Sequence, residues 1–169
     1  MKIAVVGTGC EGLVTGVCLA DIGHDVTCID IDKEKVEKMR QGISPIYEPG
    51  LEELMKKNSE QGRLHFTSSH EEGFQGAEAI YIAVGTPEKE DGSADLTYVK
   101  QAAKDIAQYI TNDCIVVTKS TVPVGTNYYI KQLINEELPN NPHHQQQLAQ
   151  GKAGLRVSVV SIPEFLREG

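Results

Sequence analysis

The stretch VVGTGCEGLVTG, residues 5–16, decides the fold of this chain. Its glycines Gly7, Gly9 and Gly12 form the pattern GxGxxG, directly after an apolar β-branched run and directly before an apolar helical pattern. In that position the first glycine permits a tight turn, the second lets a pyrophosphate approach the backbone, and the third lets the helix pack close to the strand. The stretch therefore predicts a strand, a phosphate-binding loop and a helix, and Gly16 extends the close packing by one turn.

Further strand-like runs follow along the chain, with helical patterns between them. Most of these runs are too uniformly apolar to have one face in water, which is typical of a parallel sheet covered on both faces. The order predicts a doubly wound α/β fold, with a mainly parallel, six-stranded Rossmann-type sheet and helices on both faces. The predicted strands are residues 2–7, 25–30, 64–68, 78–85, 114–120 and 155–161.

Two segments interrupt this alternation. Residues 42–62 contain two prolines and a further helical pattern, so we expect an additional lobe or a lid over the sheet edge. Residues 135–154 are rich in Asn, Gln and Pro, and we expect a long polar loop. Adjacent histidines in a Gln-rich stretch are more often solvent-facing than metal ligands, so we expect His143 and His144 to face solvent and predict no metal site.

Length and composition limit the classes of function. The chain has 169 residues, of which 40% are hydrophobic, and this is enough for one domain with one core. The net charge of −8 argues against a general nucleic-acid binder, because affinity for a phosphate backbone needs a basic face. Neither a signal pattern nor an apolar run of roughly 20 residues is present, so we expect a cytoplasmic protein without a membrane span. The four cysteines lack CxxC spacing, which favours buried free thiols.

An acid at the end of the second predicted strand indicates which cofactor to expect. Asp30 follows the glycine loop by about twenty residues, where a carboxylate would accept hydrogen bonds from the adenosine ribose and repel a 2′-phosphate. Asp32 adds to that charge, and Lys35 could reach the adenosine side. We therefore predict NAD rather than NADP. The alternative is that the glycines only pack the helix and that Asp30 only caps the next one.

Polar side chains also follow the later strands. In doubly wound sheets the ligand lies beyond the carboxyl ends of the strands, so these side chains are candidates to line the nicotinamide and reaction side. Glu164 and Glu168, after the last strand, could orient water or move protons. Taken singly, a Ser or Thr beside a Pro is also common in loops. The hydroxyl candidates are Thr86, Ser120, Thr121 and Thr126.

Several stretches have no explanation in a generic fold of this class. They are IYEPGL (46–51), KSTVPVGT (119–126) and PEFLREG (163–169). With these and with MKIAVVGTG (1–9) and IYIAVGTP (80–87), the chain resembles the NAD-binding domain of the UDP-glucose/GDP-mannose dehydrogenase family over nearly its whole length. A hydroxyacid-type dehydrogenase domain is disfavoured, because it does not account for IYEPGL or PEFLREG.

The resemblance implies an activity and a set of site residues. The family oxidises the C6 alcohol of a nucleotide sugar to a carboxylate in two NAD-dependent hydride transfers, through a thioester on a cysteine. UDP-glucose is the expected substrate, with GDP-mannose and UDP-N-acetylated sugars as alternatives. The implied cofactor-binding residues are Gly7, Gly9, Cys10, Glu11, Gly12, Asp30, Lys35, Thr86 and Thr121. The implied catalytic residues are Thr121, Glu164 and Glu168, and the implied substrate-binding residues are Glu164, Phe165, Leu166, Arg167 and Glu168.

The resemblance also implies a larger enzyme. In the family, PEFLREG leads into a connecting helix and a second domain that supplies the nucleophilic cysteine and most of the sugar-nucleotide pocket. We therefore expect residues 1–169 to form a single NAD-binding domain that lacks those parts and is inactive alone, and we expect the full-length enzyme to be a homodimer.

Three residues depart from the family pattern within the part that is present. Cys10 and Glu11 stand in GCEGL, where the family reads GYVGL, and Ile162 stands in SIPEFL, where the family reads SNPEFL. Glu11 would repel a pyrophosphate unless its side chain turns outward. These departures keep a second hypothesis open, a degenerate NAD-binding module without catalytic function.

Overall fold

Six strands form one parallel sheet in the computed structural model, which describes residues 1–163. The strands are β1 (Lys2–Val6), β2 (Asp25–Ile29), β3 (Leu64–Thr67), β4 (Ala79–Ile82), β5 (Cys114–Thr118) and β6 (Val157–Ser161). Their order is β3-β2-β1-β4-β5-β6, and each neighbouring pair is parallel. The chain thus winds from the centre to one edge and then from the centre to the other, which confirms the predicted doubly wound sheet.

Helices cover both faces of this sheet. Within residues 1–163 they are α1 (Cys10–Asp21), α2 (Lys33–Arg40), α3 (Leu51–Glu60), α4 (His70–Phe74), α5 (Thr97–Tyr109), α6 (Thr126–Glu137) and α7 (Pro142–Ala149). Successive residues of β1 point to opposite faces and are buried on both. Ile3 and Val5 join a core with α1, α2 and α3, whereas Ala4 and Val6 join a core with α4, α5 and α6. The strands are uniformly apolar because the sheet is covered on both faces, as predicted.

The helix that follows β2 begins after an acidic cap. The Asp32 carboxylate accepts hydrogen bonds from the backbone amides of Glu34 and Lys35, each at 3.1 Å, and so caps the N-terminus of α2. The chain leaves the helix at Gly42, which has a φ of 83°. Asp32, rather than Asp30, is therefore the cap, which removes the alternative explanation for Asp30.

The expectation of a separate lobe at residues 42–62 is wrong, whereas the alternative, a cover over the sheet edge, agrees with the contacts of α3 with the edge strand β3. α3 packs against α1, and its residues Leu51 and Met55 are buried in the core of that face. This segment belongs to the helical layer on the sheet, because its buried apolar positions, Leu51 and Met55, are four residues apart and lie on one side of the helix.

The expectation of a long polar loop at residues 135–154 is also wrong. α6 continues to Glu137, a 3₁₀ turn spans Leu138–Asn140, and α7 occupies most of the remainder. Asn141 caps α7 by accepting hydrogen bonds from the amides of His143 and His144, and Pro142 takes the first helical position. An Asn followed by a Pro is a favourable helix start, so the same letters that mark a loop also mark a cap.

The two histidines of α7 have different environments. His143 is exposed, as expected. His144 is half-buried, and its Nδ1 accepts a hydrogen bond of 2.9 Å from the backbone amide of Leu155. The solvent-facing prediction is therefore wrong for His144, which joins α7 to the segment before β6.

All four cysteines are free thiols, and two of them are buried. Burial raises the pKa of Cys28 to about 12, and burial with the nearby charge of Asp113 raises the pKa of Cys114 to about 12. Cys10 and Cys18 are exposed, so the prediction of buried thiols holds for only half of them. Within residues 1–163, none of the helices combines the length and apolar character that a membrane crossing requires.

Candidate functional site

The glycine loop after β1 packs directly against the end of β4. Gly7 has a φ of 101°, and a Cβ at this position would lie 2.5 Å from the carbonyl oxygen of Ala83. A Cβ at Gly12 would overlap the carbonyl oxygen of Gly7, so any side chain there would push α1 away from the loop. The turn and the close packing agree with the prediction from the pattern.

Gly9 differs from both of these glycines. A Cβ at Gly9 would have no protein atom within 4 Å among the described residues, so neither packing nor backbone strain requires a glycine here. Gly9 is the N-cap residue of α1, and no side chain in the described part of the chain caps that helix. The first turn of α1 therefore begins at a residue without a side chain and beside space that no described protein atom fills, as at a phosphate-binding helix start.

A cavity of about 300 Å³ lies beside this loop, at the carboxyl ends of β1, β2 and β4. The strand order reverses between β1 and β4, and ligands of doubly wound sheets bind at such a switch point. The cavity walls come from the glycine loop, the end of β2, residues 83–85 after β4, His70 at the start of α4, and one face of α5.

Asp30 presents a carboxylate to this cavity. Its Oδ2 accepts a hydrogen bond from the hydroxyl of Thr8, its Oδ1 accepts one of 3.0 Å from the amide of Asp32, and Lys35 Nζ lies 3.3 Å from Oδ2. Burial opposes ionisation of the Asp30 carboxyl, but the two hydrogen bonds and the Lys35 ammonium outweigh it and hold the pKa below its ordinary value. The ionised form is therefore favoured at neutral pH.

A second group of predicted residues lies at the ends of β4 and β5. The hydroxyl of Thr86 donates a hydrogen bond of 3.0 Å to the backbone carbonyl of Thr121, which joins the loops that follow these strands. Both residues lie outside the cavity of the glycine loop, toward the other half of the sheet.

Ser120 and Thr126, two further hydroxyl candidates, bond to backbone carbonyls. Both are buried, and each hydroxyl donates a hydrogen bond of 2.7 Å to a backbone carbonyl, that of Val84 for Ser120 and that of Pro123 for Thr126. These hydrogen bonds hold the loops after β4 and β5 in shape. A Ser or Thr in a tight loop often bonds to nearby backbone in this way.

The family model for the NAD binding domain of the UDP-glucose/GDP-mannose dehydrogenase family matches residues 1–169. The chain belongs to this family. It is 56% identical to the UDP-glucose 6-dehydrogenase YwqF of Bacillus subtilis over 169 residues, which is all of this chain and 36% of that protein.

Solved structures of other family members have the same fold. The UDP-glucose dehydrogenase of the archaeon Pyrobaculum islandicum is 40% identical and superposes with a TM-score of 0.85, covering 99% of this chain and 37% of that one. The GDP-mannose dehydrogenase of Pseudomonas aeruginosa is 35% identical, with a TM-score of 0.86 and coverages of 99% and 37%. The chain thus spans about a third of the length of the relatives that it matches.

The remaining predicted site residues of this dehydrogenase-family domain lie outside the cavity or outside the described residues. Cys10 is exposed and Glu11 is half-buried in the first turn of α1, and neither side chain lines the cavity. Ile162 has a half-exposed side chain, and its amide donates to the carbonyl of Thr118 at 3.0 Å. The predicted catalytic and substrate-binding positions outside residues 1–163 are Glu164, Phe165, Leu166, Arg167 and Glu168.

The sequence did not predict the far wall of the cavity in this family member. Tyr98, Gln101 and Asp105 lie three and four residues apart on α5, and His70 faces Asp105 from α4. The available signal was a polar stripe on α5, displaced by one residue from the apolar stripe that covers the sheet. Thr8 was also missed, although it lies between the first two glycines of the loop.

Proposed function

We propose that this chain is the single NAD-binding domain of an NAD-dependent UDP-glucose 6-dehydrogenase. One observation carries the proposal: the cavity at the switch point combines the open start of α1 at Gly9 with the ionised carboxylate of Asp30. Membership of the dehydrogenase family and the identity with YwqF support the same activity. Related substrates, such as GDP-mannose, remain alternatives for the full-length protein.

The residues of the cavity fit the adenosine diphosphate half of NAD. The uncapped amides at the start of α1 offer hydrogen bonds and a positive dipole end to the diphosphate, and Gly9 leaves room for it. Asp30 accepts hydrogen bonds from the ribose hydroxyls and repels a 2′-phosphate, so NAD is preferred to NADP. Lys35 holds the Asp30 carboxylate in its ionised form from the side.

The other half of the site is assigned to the ends of β4, β5 and β6. In this proposal Thr86 and Thr121 line the nicotinamide side, where bound NAD would supply the hydride acceptor for the sugar alcohol. Glu164 and Glu168 act in the proton transfers, and Thr121 helps Glu164 to place the hydrolytic water. The segment Glu164–Glu168 also binds the sugar nucleotide, whereas the nucleophilic cysteine belongs to the remaining two thirds of the enzyme, which forms a homodimer.

Calorimetric titration with NAD⁺ and NADP⁺ tests the cofactor assignment. We expect saturable NAD⁺ binding, much weaker NADP⁺ binding, and a loss of about tenfold or more in NAD⁺ affinity for Asp30→Ala, since hydrogen bonds to charged groups are strong. Asp25→Ala is the matched control, because this substitution removes the same charge at the opposite, amino end of β2. Absence of NAD⁺ binding by the folded protein, or equal effects of the two variants, would overturn the assignment.

The departures at Cys10, Glu11 and Ile162 support the second candidate, a degenerate NAD-binding module without catalysis. The two candidates differ in a complementation assay, in which the C-terminal part of a related UDP-glucose 6-dehydrogenase is added with UDP-glucose and NAD⁺. Formation of NADH supports the dehydrogenase. The positive control combines the same C-terminal part with the N-terminal domain of its own enzyme and must form NADH. If this control succeeds and the present chain binds NAD⁺ without forming NADH, the non-catalytic module is supported.

A further inference from the structure

The end of the cavity beyond Asp30 contains a polar pair that the proposed ribose and diphosphate contacts do not use. His70 Nε2 lies 3.5 Å from Asp105 Oδ2, and only 17% and 16% of the two side chains are exposed. Both residues line the cavity. A carboxylate that is largely withdrawn from solvent and faces a binding cavity is suited to accept a hydrogen bond from a ligand.

The neighbours of Asp105 fix its orientation and leave acceptor capacity free. The amide of Gln101 donates a hydrogen bond of 3.1 Å to Oδ1, and His70 stands beside Oδ2. The His70 ring is itself held by Phe74, with the ring centroids 5.8 Å apart. An ionised carboxylate accepts about four hydrogen bonds, so each oxygen retains room for a donor from the cavity.

The mouth of this end of the cavity is apolar. Ile31 and Tyr98 both line the cavity, although 74% and 52% of their respective surfaces are exposed. Exposed apolar side chains beside a cavity favour a flat, largely apolar group that covers them. His70 follows β3, which is the strand beyond β2, so this end lies on the adenosine side of Asp30.

We propose that Asp105 recognises the exocyclic amino group of the cofactor's adenine, and that His70 and Gln101 are positioning residues for its carboxylate. This inference rests on the proposed function, because the diphosphate at Gly9 and the ribose at Asp30 determine which end of the cavity receives the base. Adenine supplies the required chemistry, since it has a flat apolar ring for Ile31 and Tyr98 and an amino donor for the carboxylate.

The test compares NAD⁺ with nicotinamide hypoxanthine dinucleotide, in which a carbonyl replaces that amino group. We expect the unaltered protein to bind NAD⁺ about tenfold more tightly, because a carbonyl facing the carboxylate loses the hydrogen bond and leaves two acceptors together. In Asp105→Asn the ratio should fall to near one, because an amide can donate as well as accept. Asp30→Asn is the matched control, which should weaken both dinucleotides and keep the ratio.

The positioning role of His70 has its own readout. His70→Ala should lower the ratio of the two affinities, and His70→Gln, which retains a donor, should restore part of it, whereas a purely structural defect weakens both dinucleotides equally. A ratio near one in the unaltered protein, or an unchanged ratio in Asp105→Asn, overturns the base recognition while NAD⁺ binding still upholds the proposed function. Failure of the unaltered protein to bind either dinucleotide overturns both.

Discussion

The hydroxyl of Thr8 donates a hydrogen bond to Oδ2 of Asp30, which joins the glycine loop after β1 to the end of β2. Thr8 is only 1% exposed, so solvent does not compete for its hydroxyl. The carboxylate is therefore oriented by the loop before any ligand arrives, and this preorganisation lowers the cost of binding. The phosphate and ribose ends of the site are one connected structure.

Replacement of Thr8 by valine tests this connection. Thr8→Val keeps the shape of the side chain and removes the donor, so we expect NAD⁺ affinity to fall about threefold to tenfold and the free energy of unfolding to fall by about 1 kcal/mol. Calorimetry and urea denaturation measure the two effects. Thr8→Ser retains the hydroxyl and should stay close to the unaltered protein. Equal affinities for Thr8→Val and Thr8→Ser would show that the hydrogen bond does not prepare the site.

Alanine substitutions at two glycines of the loop should have different effects, one on NAD⁺ binding and the other on stability. In Gly9→Ala the new methyl group meets no protein atom within 4 Å among the described residues, so the melting temperature should be almost unchanged while NAD⁺ binding is lost. In Gly12→Ala the methyl group would overlap the backbone carbonyl of Gly7, so the protein should be destabilised by several kcal/mol. Thermal melts measure the loss of stability in each variant, and calorimetry measures the loss of NAD⁺ binding. A stable Gly9→Ala variant that binds NAD⁺ normally would contradict the assignment of the diphosphate to Gly9.

The Asp30 carboxylate should make stability depend on pH in acid solution. Its pKa in the folded chain is below the ordinary value of 3.8, so in that range the unfolded chain binds more protons than the folded chain. The stabilisation is therefore fully present well above pH 3.8 and is lost as the pH falls through the folded pKa. Melting temperatures from pH 7 to pH 3 should show a constant difference between the unaltered protein and Asp30→Asn down to about pH 5, and a shrinking difference below pH 4. If the difference in melting temperature grew on acidification, the pKa of Asp30 would be raised by folding and not lowered.

The sequence predicts most of the sheet and the centre of the site because their determinants are local. Gly7, Gly12 and Asp30 lie within one βαβ unit, and each has a steric or electrostatic reason to stand where it does. The burial of Ile3, Ala4, Val5 and Val6 on alternate faces of the sheet likewise follows from the run of apolar residues itself.

The errors arise where a residue's role depends on a partner far along the chain. The hydroxyl of Ser120 bonds to the backbone carbonyl of Val84, 36 positions earlier, a contact that no local pattern predicts. His70 and Asp105 come together only because α4 and α5 pack on the same face of the sheet, and no short motif contains both. The polar composition of residues 135–154 is typical of a loop, although the segment contains a helix. The residue that caps this helix also bonds to carbonyls far along the chain, which the local sequence does not reveal.

Asn141 is that cap, and its replacement should be the most damaging polar change in this segment. Its side chain is fully buried, its amide donates to the carbonyls of Ala107 and Ile110 at 2.9 Å each, and its oxygen caps α7. Asn141→Ala leaves buried carbonyls without donors and removes the cap, so we expect a loss of about 3 kcal/mol or more and a melting temperature lower by about 10 °C. Asn140→Ala, at the exposed neighbouring position, is the control and should change stability by less than about 0.5 kcal/mol. Similar losses for both variants would mean that the hydrogen bonds of Asn141 do not hold α7 against the end of α5.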